Sequence, residues 1–165
     1  MKVESKPGAL PDASGKRFAI VVARFYRELA GWLEDGARRA LRDCGVADDD
    51  VTVVDVPGCF EIPLAAHKLI VAGEYDGVVA LGIVIRGDTP HFDYVAGECS
   101  RGIMTVQLTT GVPIGFGILT TENRAQAEER ADPARLDKGY EAALAAVTVA
   151  LIEAEPKAQT RVGFR

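Results

Sequence analysis

The segment Val78-Val79-Ala80-Leu81-Gly82-Ile83-Val84-Ile85 limits the fold of this chain more than any other feature. A run with no polar residue to face water belongs to a strand buried on both faces. Such strands sit inside parallel sheets whose faces are covered by helices. The remaining pattern meets that demand. Phe18 to Ala23 and Val51 to Val56 read as further strands, the second ended by Pro57-Gly58, and Ile114 to Leu119 as a fourth. Leu29, Trp32, Leu33, Ala37, Ala40, Leu41 and Cys44 recur at three- and four-residue spacing with charges between them. That is an amphipathic helix, stopped by Gly45. Helices are also expected over Ile62–Ala72, with Pro63 near its first turn, and over Asp93–Leu108, Arg124–Arg130 and Asp137–Ala154. The alternation predicts an α/β domain, a three-layer α/β/α sandwich around a four-stranded parallel sheet.

The 165 residues suffice for one such domain. Residues 1–16, interrupted by Pro7, Gly8, Pro11 and Gly15, read as a flexible arm, 17–155 as the domain and 156–165 as a polar tail. Apolar types at 48% with a net charge of -5 exclude a disordered chain and argue against a nucleic-acid footprint. The longest apolar run, Ala142 to Ile152 with Thr148 inside it, is too short to span a bilayer. The first fifteen residues lack the apolar stretch of a secretory signal. Cys44, Cys59 and Cys99 have no CxxC spacing, so free thiols in a reducing cytoplasm are expected. With two histidines and no Cys/His cluster, no zinc site is expected.

Ligands of parallel sheets bind beyond the carboxyl ends of the strands, so four strand exits are where chemistry is expected. The first is Ala23-Arg24-Phe25-Tyr26, whose aromatics either stack on a flat heterocycle or cap the core. At the second, Val56-Pro57-Gly58-Cys59-Phe60-Glu61-Ile62-Pro63, Pro-Gly makes a sharp turn. Glu61 there either complements the dipole of the next helix or accepts hydrogen bonds from a polyhydroxylated ligand. The third is Ile85-Arg86-Gly87-Asp88-Thr89-Pro90-His91-Phe92-Asp93-Tyr94. Glycine and a hydroxyl just before a helix suit backbone N–H groups to an anion. Asp88 is expected to act there through its backbone, because its carboxylate would oppose an anion. Histidine ordinarily titrates near neutrality, so His91 suits proton transfer, with a structural histidine as the plainer alternative. His67 has no such setting and reads as a solvated helix residue. The fourth exit, Gly115-Phe116-Gly117-Ile118-Leu119-Thr120-Thr121, carries GxGxxT inside a strand, which is not the dinucleotide fingerprint. Arg130 and Lys138 follow, each either a surface charge or a ligand contact. No P-loop is present. These residues alone fit an enzyme acting on a phosphorylated small molecule, or a binding module of flavodoxin-like shape.

Taken together, in this order and spacing, the four exits resemble those of lumazine synthases. The matching segments are Ala23-Arg24-Phe25, Val56 to Pro63, Gly82 to Tyr94, and Phe116-Gly117-Ile118-Leu119-Thr120 followed by Gln126 and Arg130. The match runs from about Arg17 to Ala154. The resemblance implies condensation of 5-amino-6-(D-ribitylamino)uracil with 3,4-dihydroxy-2-butanone 4-phosphate to 6,7-dimethyl-8-ribityllumazine, the penultimate step of riboflavin biosynthesis. It implies no metal and no organic cofactor. His91 matches the proton-transfer histidine. Phe25, Cys59, Phe60, Glu61, Ile83, Val84 and Ile85 match the pyrimidine and ribityl site, and Phe116 matches a residue supplied to it by the neighbouring subunit. Gly87, Asp88, Thr89 and Arg130 match the phosphate-substrate site, with Lys138 a basic residue close by. The resemblance therefore implies small-molecule substrates and a homo-oligomer with sites at subunit interfaces. In it the N-terminal arm adds a strand to the adjacent sheet. Tyr26 stands where many members have Asn, and Cys59 where Ala or Ser is common. Asp132 to Gly139 lacks the first Gly and the Asn of a Gly-Asn-Lys-Gly turn found in capsid-forming members. A pentamer is therefore expected ahead of an icosahedral shell of about sixty subunits. The second reading is a non-catalytic lumazine- or flavin-binding protein of the same fold, which would keep the aromatics and Glu61 and could lose His91 or Arg130.

Overall fold

The computed structural model describes residues 8–153. Its strands are β1 (Phe18–Ala23), β2 (Val51–Val56), β3 (Gly77–Ile85) and β4 (Ile114–Thr121). Its helices are α1 (Arg27–Asp43), α2 (Ile62–Ala72), α3 (His91–Thr110), α4 (Arg124–Ala131) and α5 (Lys138–Ala150). The strands form one parallel sheet in the order β2-β1-β3-β4. The chain steps outward from β1 to β2, then crosses back to β3 on the other side of β1. The exits of β1 and β3 therefore diverge, the place where open sheets of this order bind ligands.

Side-chain alternation along the strands feeds two cores. Ile20, Val22, Val79 and Leu81 pack with Leu29, Leu33 and Leu41 of α1 and Ala143 and Val147 of α5. Val21, Val78, Ala80 and Ile118 pack with Ile62 of α2 and Cys99 and Ile103 of α3. This two-sided covering is why β1 and β3 tolerate no polar residue. Two glycines let α5 approach its neighbours. A Cβ at Gly139 would lie 2.1 Å from the Leu33 carbonyl oxygen, and one at Gly115 would lie 2.1 Å from that of Ala142.

The predicted strands and helices are all present, with shifted ends. β4 runs two residues past Leu119, because Thr120 and Thr121 continue in register with Val84 and Ile85 of β3. α3 begins at His91 rather than Asp93, with Pro90 as its N-cap, a position where the missing proline N–H costs nothing. α5 ends at Ala150, short of the expected Ala154. Val149 and Ile152 are about half exposed there, so the helix has outrun the sheet that stabilises it. Part of the expected N-terminal arm is tied down. Ala13 is fully buried and its N–H donates to the Cys44 carbonyl at 2.7 Å, while the Arg17 N–H donates to Asp76 at 2.8 Å. Residues 1–7 and the polar tail lie outside the described residues.

Candidate functional site

The first two exits present exposed aromatics. Phe25 stands two residues past the end of β1 and is 74% exposed, so it does not cap the core. Its ring meets Tyr26 edge to face, with centroids 5.0 Å apart. The loop is held by Arg24, whose Nε donates to Asp55 of β2 at 2.8 Å and whose Nη2 pairs with Glu34 of α1. Burial works to raise the Glu34 pKa, but hydrogen bonds from Arg24 and Arg38 outweigh it and hold the carboxyl below its ordinary range. At the second exit a 3-10 turn spans Cys59–Glu61. Phe60 projects from it, 59% exposed. Glu61 gives α2 no side-chain cap, and its carboxylate is exposed, which leaves it available to a ligand.

Cys59 turns the other way. It is buried beneath Gly82, and its Sγ donates to the Ile83 carbonyl at 3.8 Å. Burial, helped by nearby Cys99, pushes its thiol pKa up to about 12, so it packs as a neutral group. Ile83 and Val84 also point into the core, and Ile85 is only partly buried. Cys59, Ile83 and Val84 can therefore meet a ligand only through their main chain.

At the third exit the Arg86 N–H donates to the Thr121 carbonyl at 2.9 Å, fastening β3 to β4. Gly87, Asp88 and Thr89 follow as an exposed loop. Their N–H groups have no acceptor among the described residues, and a Cβ at Gly87 would meet nothing within 4 Å. His91 is the first residue of α3 and is exposed; its N–H makes a long 3.4 Å contact to Thr89 Oγ1. His67 is exposed on α2, as its surroundings in the sequence suggested.

Phe116, Arg130 and Lys138 do not join these exits on the same chain. They line a groove of about 450 Å³ with Thr120, Glu141 and Ala145, on the open edge of β4. Phe116 is the third residue of β4, opposite Ala80 of β3, so it lies part-way along the strand rather than at its exit. The expected strand, Ile114 to Leu119, already contained Phe116, and the observed β4 runs on to Thr121, so grouping Phe116 with the fourth exit placed it too far along the chain. Arg130 Nη1 donates to the Gln126 carbonyl at 3.0 Å, and Lys138 Nζ to Glu141 at 2.6 Å. Helix α4, which carries Arg130, is capped by Asn123, whose side chain accepts from the Gln126 N–H at 2.9 Å. The Gln126 side chain in turn accepts from the Glu122 N–H at 2.9 Å. Asn followed three residues later by Gln resembles a capping box, except that Gln126 reaches the N–H one residue before the cap. Asn123→Ala is expected to cost about 0.5–2 kcal/mol. The loss would show as faster hydrogen exchange in α4; unchanged protection would mean packing alone holds the helix.

The family model described as 6,7-dimethyl-8-ribityllumazine synthase matches residues 15–154. A protein of that name from Kineococcus radiotolerans is 53% identical over 149 residues, 89% of this chain and 91% of the relative. One from Desulfatibacillum aliphaticivorans, with the same name, is 50% identical over 136 residues, 82% and 88% of the two chains. The chain belongs to the lumazine synthase family. The family match spans the whole sandwich, including the β4 groove as well as the first three exits. Sequence reasoning assigned no role to Arg24 or Arg86 of this lumazine synthase family member. Each stands beside a loop at a strand exit, but Asp55 and Glu122, one partner of each, lie 31 and 36 residues away and gave no local signal. No described helix is long and apolar enough to cross a membrane.

Proposed function

We propose that this chain catalyses the lumazine synthase reaction. It joins 5-amino-6-(D-ribitylamino)uracil to 3,4-dihydroxy-2-butanone 4-phosphate, giving 6,7-dimethyl-8-ribityllumazine, inorganic phosphate and water, in the cytoplasm. Family membership over residues 15–154 is the observation that carries this reading. Phe25 stacks on the pyrimidine, and Phe60 and Glu61 hold the ring and the ribityl hydroxyls. The pyrimidine amine attacks the ketone and loses one water to form an imine, phosphate departs by elimination, and the ribityl-bearing nitrogen closes the second ring with loss of a second water. His91 moves protons during these steps. The N–H groups of Gly87, Asp88 and Thr89, with the Arg130 guanidinium, balance the charge of the departing phosphate. Lys138, beside Arg130 in the groove, adds a second positive charge. Most of the acceleration comes from holding two reactants together. Mixing the purified protein with both substrates and following lumazine absorbance tests this directly. A rate no higher than the spontaneous condensation would refute it.

The site is completed between subunits. The β4 groove with Phe116, Arg130 and Lys138 opens sideways, while Phe25, Phe60 and His91 crown β1, the turn after β2 and α3. A head-to-tail contact that sets one subunit's groove against the next subunit's exits unites the two halves, and such contacts close into rings. Exposed Leu64 and Val71 on α2 and Tyr94, Met104 and Leu108 on α3 offer apolar surface for assembly. A pentamer follows from the family likeness, and the altered Asp132–Gly139 turn favours it over a shell. Light scattering is expected to report about five times the 17.6 kDa chain mass. A fully active monomer would overturn the shared site; a particle of about sixty subunits would overturn only the reading of that turn.

A further inference from the structure

Arg86 ends the third strand exit where the Gly87-Asp88-Thr89 loop begins, and the mechanism above gives it no role. Its guanidinium Nε donates to Glu122 at 2.9 Å and its Nη1 to Asp93 at 3.3 Å. The same group lies 4.2 Å from the centroid of the Phe92 ring, a cation–π contact that fixes its direction. Glu122 comes from the loop after β4, and Asp93 and Phe92 come from the first turn of α3, directly after His91. The loop that offers free N–H groups is thus flanked by Asp93 and Glu122 and contains Asp88. All three carboxylates are exposed, so each repels an arriving phosphate over roughly a Debye length, about 8 Å at physiological salt. Arg86 engages two of the three.

We infer that Arg86 is a positioning residue for the phosphate-bearing substrate, acting through Asp93 and Glu122. It holds both carboxylates away from the loop and cancels their charge, so that the N–H groups of Gly87, Asp88 and Thr89 meet the phosphate without opposition. Its Nε and Nη1 are engaged by the protein, and it acts through those two carboxylates rather than by touching the substrate. The inference rests on the reading that phosphate binds at this loop.

Steady-state kinetics on the full assembled chain test it. Arg86→Met is expected to raise the KM for the butanone phosphate about tenfold, with the KM for the pyrimidine changed less than about twofold. Inhibition by inorganic phosphate weakens in parallel, and added salt narrows the difference from the parent protein. Arg86→Lys recovers part of the loss by restoring charge without the fork. Adding Asp93→Asn and Glu122→Gln to Arg86→Met recovers most of it, because the repelling groups are gone. An unchanged phosphate-substrate KM in Arg86→Met, with an active parent protein, overturns this inference alone. A defect that neither salt nor removal of the carboxylates relieves marks a merely structural role and also overturns it. If Arg86→Met does not fold, Arg86→Gln is the test, and a butanone phosphate KM that does not rise, or a rise that neither salt nor removal of the two carboxylates relieves, overturns the inference. A parent protein that forms no lumazine removes the underlying reading, and the inference with it.

Discussion

Arg130→Ala is expected to weaken use of the butanone phosphate by about ten- to a hundred-fold while leaving pyrimidine binding nearly unchanged. A charge-assisted hydrogen bond contributes roughly 1.5–3 kcal/mol, which converts to that range. Arg130 is half-buried in the β4 groove, its Nη1 fixed on the Gln126 carbonyl, so its direction is set before substrate arrives. The KM for each substrate, measured separately, checks the assignment; an unchanged phosphate-substrate KM would refute it. The groove's position adds a second readout. With the site shared between subunits as proposed, Arg130→Ala and His91→Ala are expected to damage opposite halves of it. Co-assembled from a mixture of the two impaired chains, rings are expected to regain part of the lost activity, because some interfaces pair an intact groove with an intact exit. A mixture no more active than its components would place both residues in one subunit's site.

His91→Ala is expected to lower turnover on the order of 10²-fold or less, because general acid–base help contributes about 10²–10⁴ and proximity survives the change. The loop before it should persist. Its form is set by the Arg86 N–H on Thr121 and by Pro90 at the start of α3, not by the imidazole. Substrate KM values should therefore move little while kcat falls. Lost substrate binding in a folded variant would make His91 an anchoring residue instead.

The sandwich itself was open to a reader of the sequence. The β3 run from Val78 to Ile85 and the three- and four-residue spacing in α1 are local patterns, and burial on two faces of a strand or one face of a helix leaves a local signature. Phe25, Phe60 and His91 were equally legible as candidates, since each stands where an apolar strand or its turn gives way to a loop. Cys59 shows the limit of that reasoning. It sits in the same segment as Phe60 and Glu61, yet its side chain turns under Gly82 into the core. The direction of one side chain in a tight turn depends on the space its neighbours leave, and Gly82 comes from another strand.

The sequence by itself determined the element order, the parallel sheet, and which strand exits carry reactive side chains, because periodicity and turn chemistry act over a few residues. Only the tertiary structure decided how those side chains are shared out. Phe116, Arg130 and Lys138 arise from β4, α4 and α5, and they meet in one groove because α4 and α5 pack along the sheet edge. Arg24 finds Asp55, and Arg86 finds Glu122, only once parallel pairing brings separate strand ends side by side, and Arg24 finds Glu34 only once α1 packs on the sheet. Those meetings join residues from ten to thirty-six positions apart, and sequence separation carries no signal of them. The physical reason is that contacts across a sheet edge and between strand ends are fixed by strand order and register, which the fold as a whole sets.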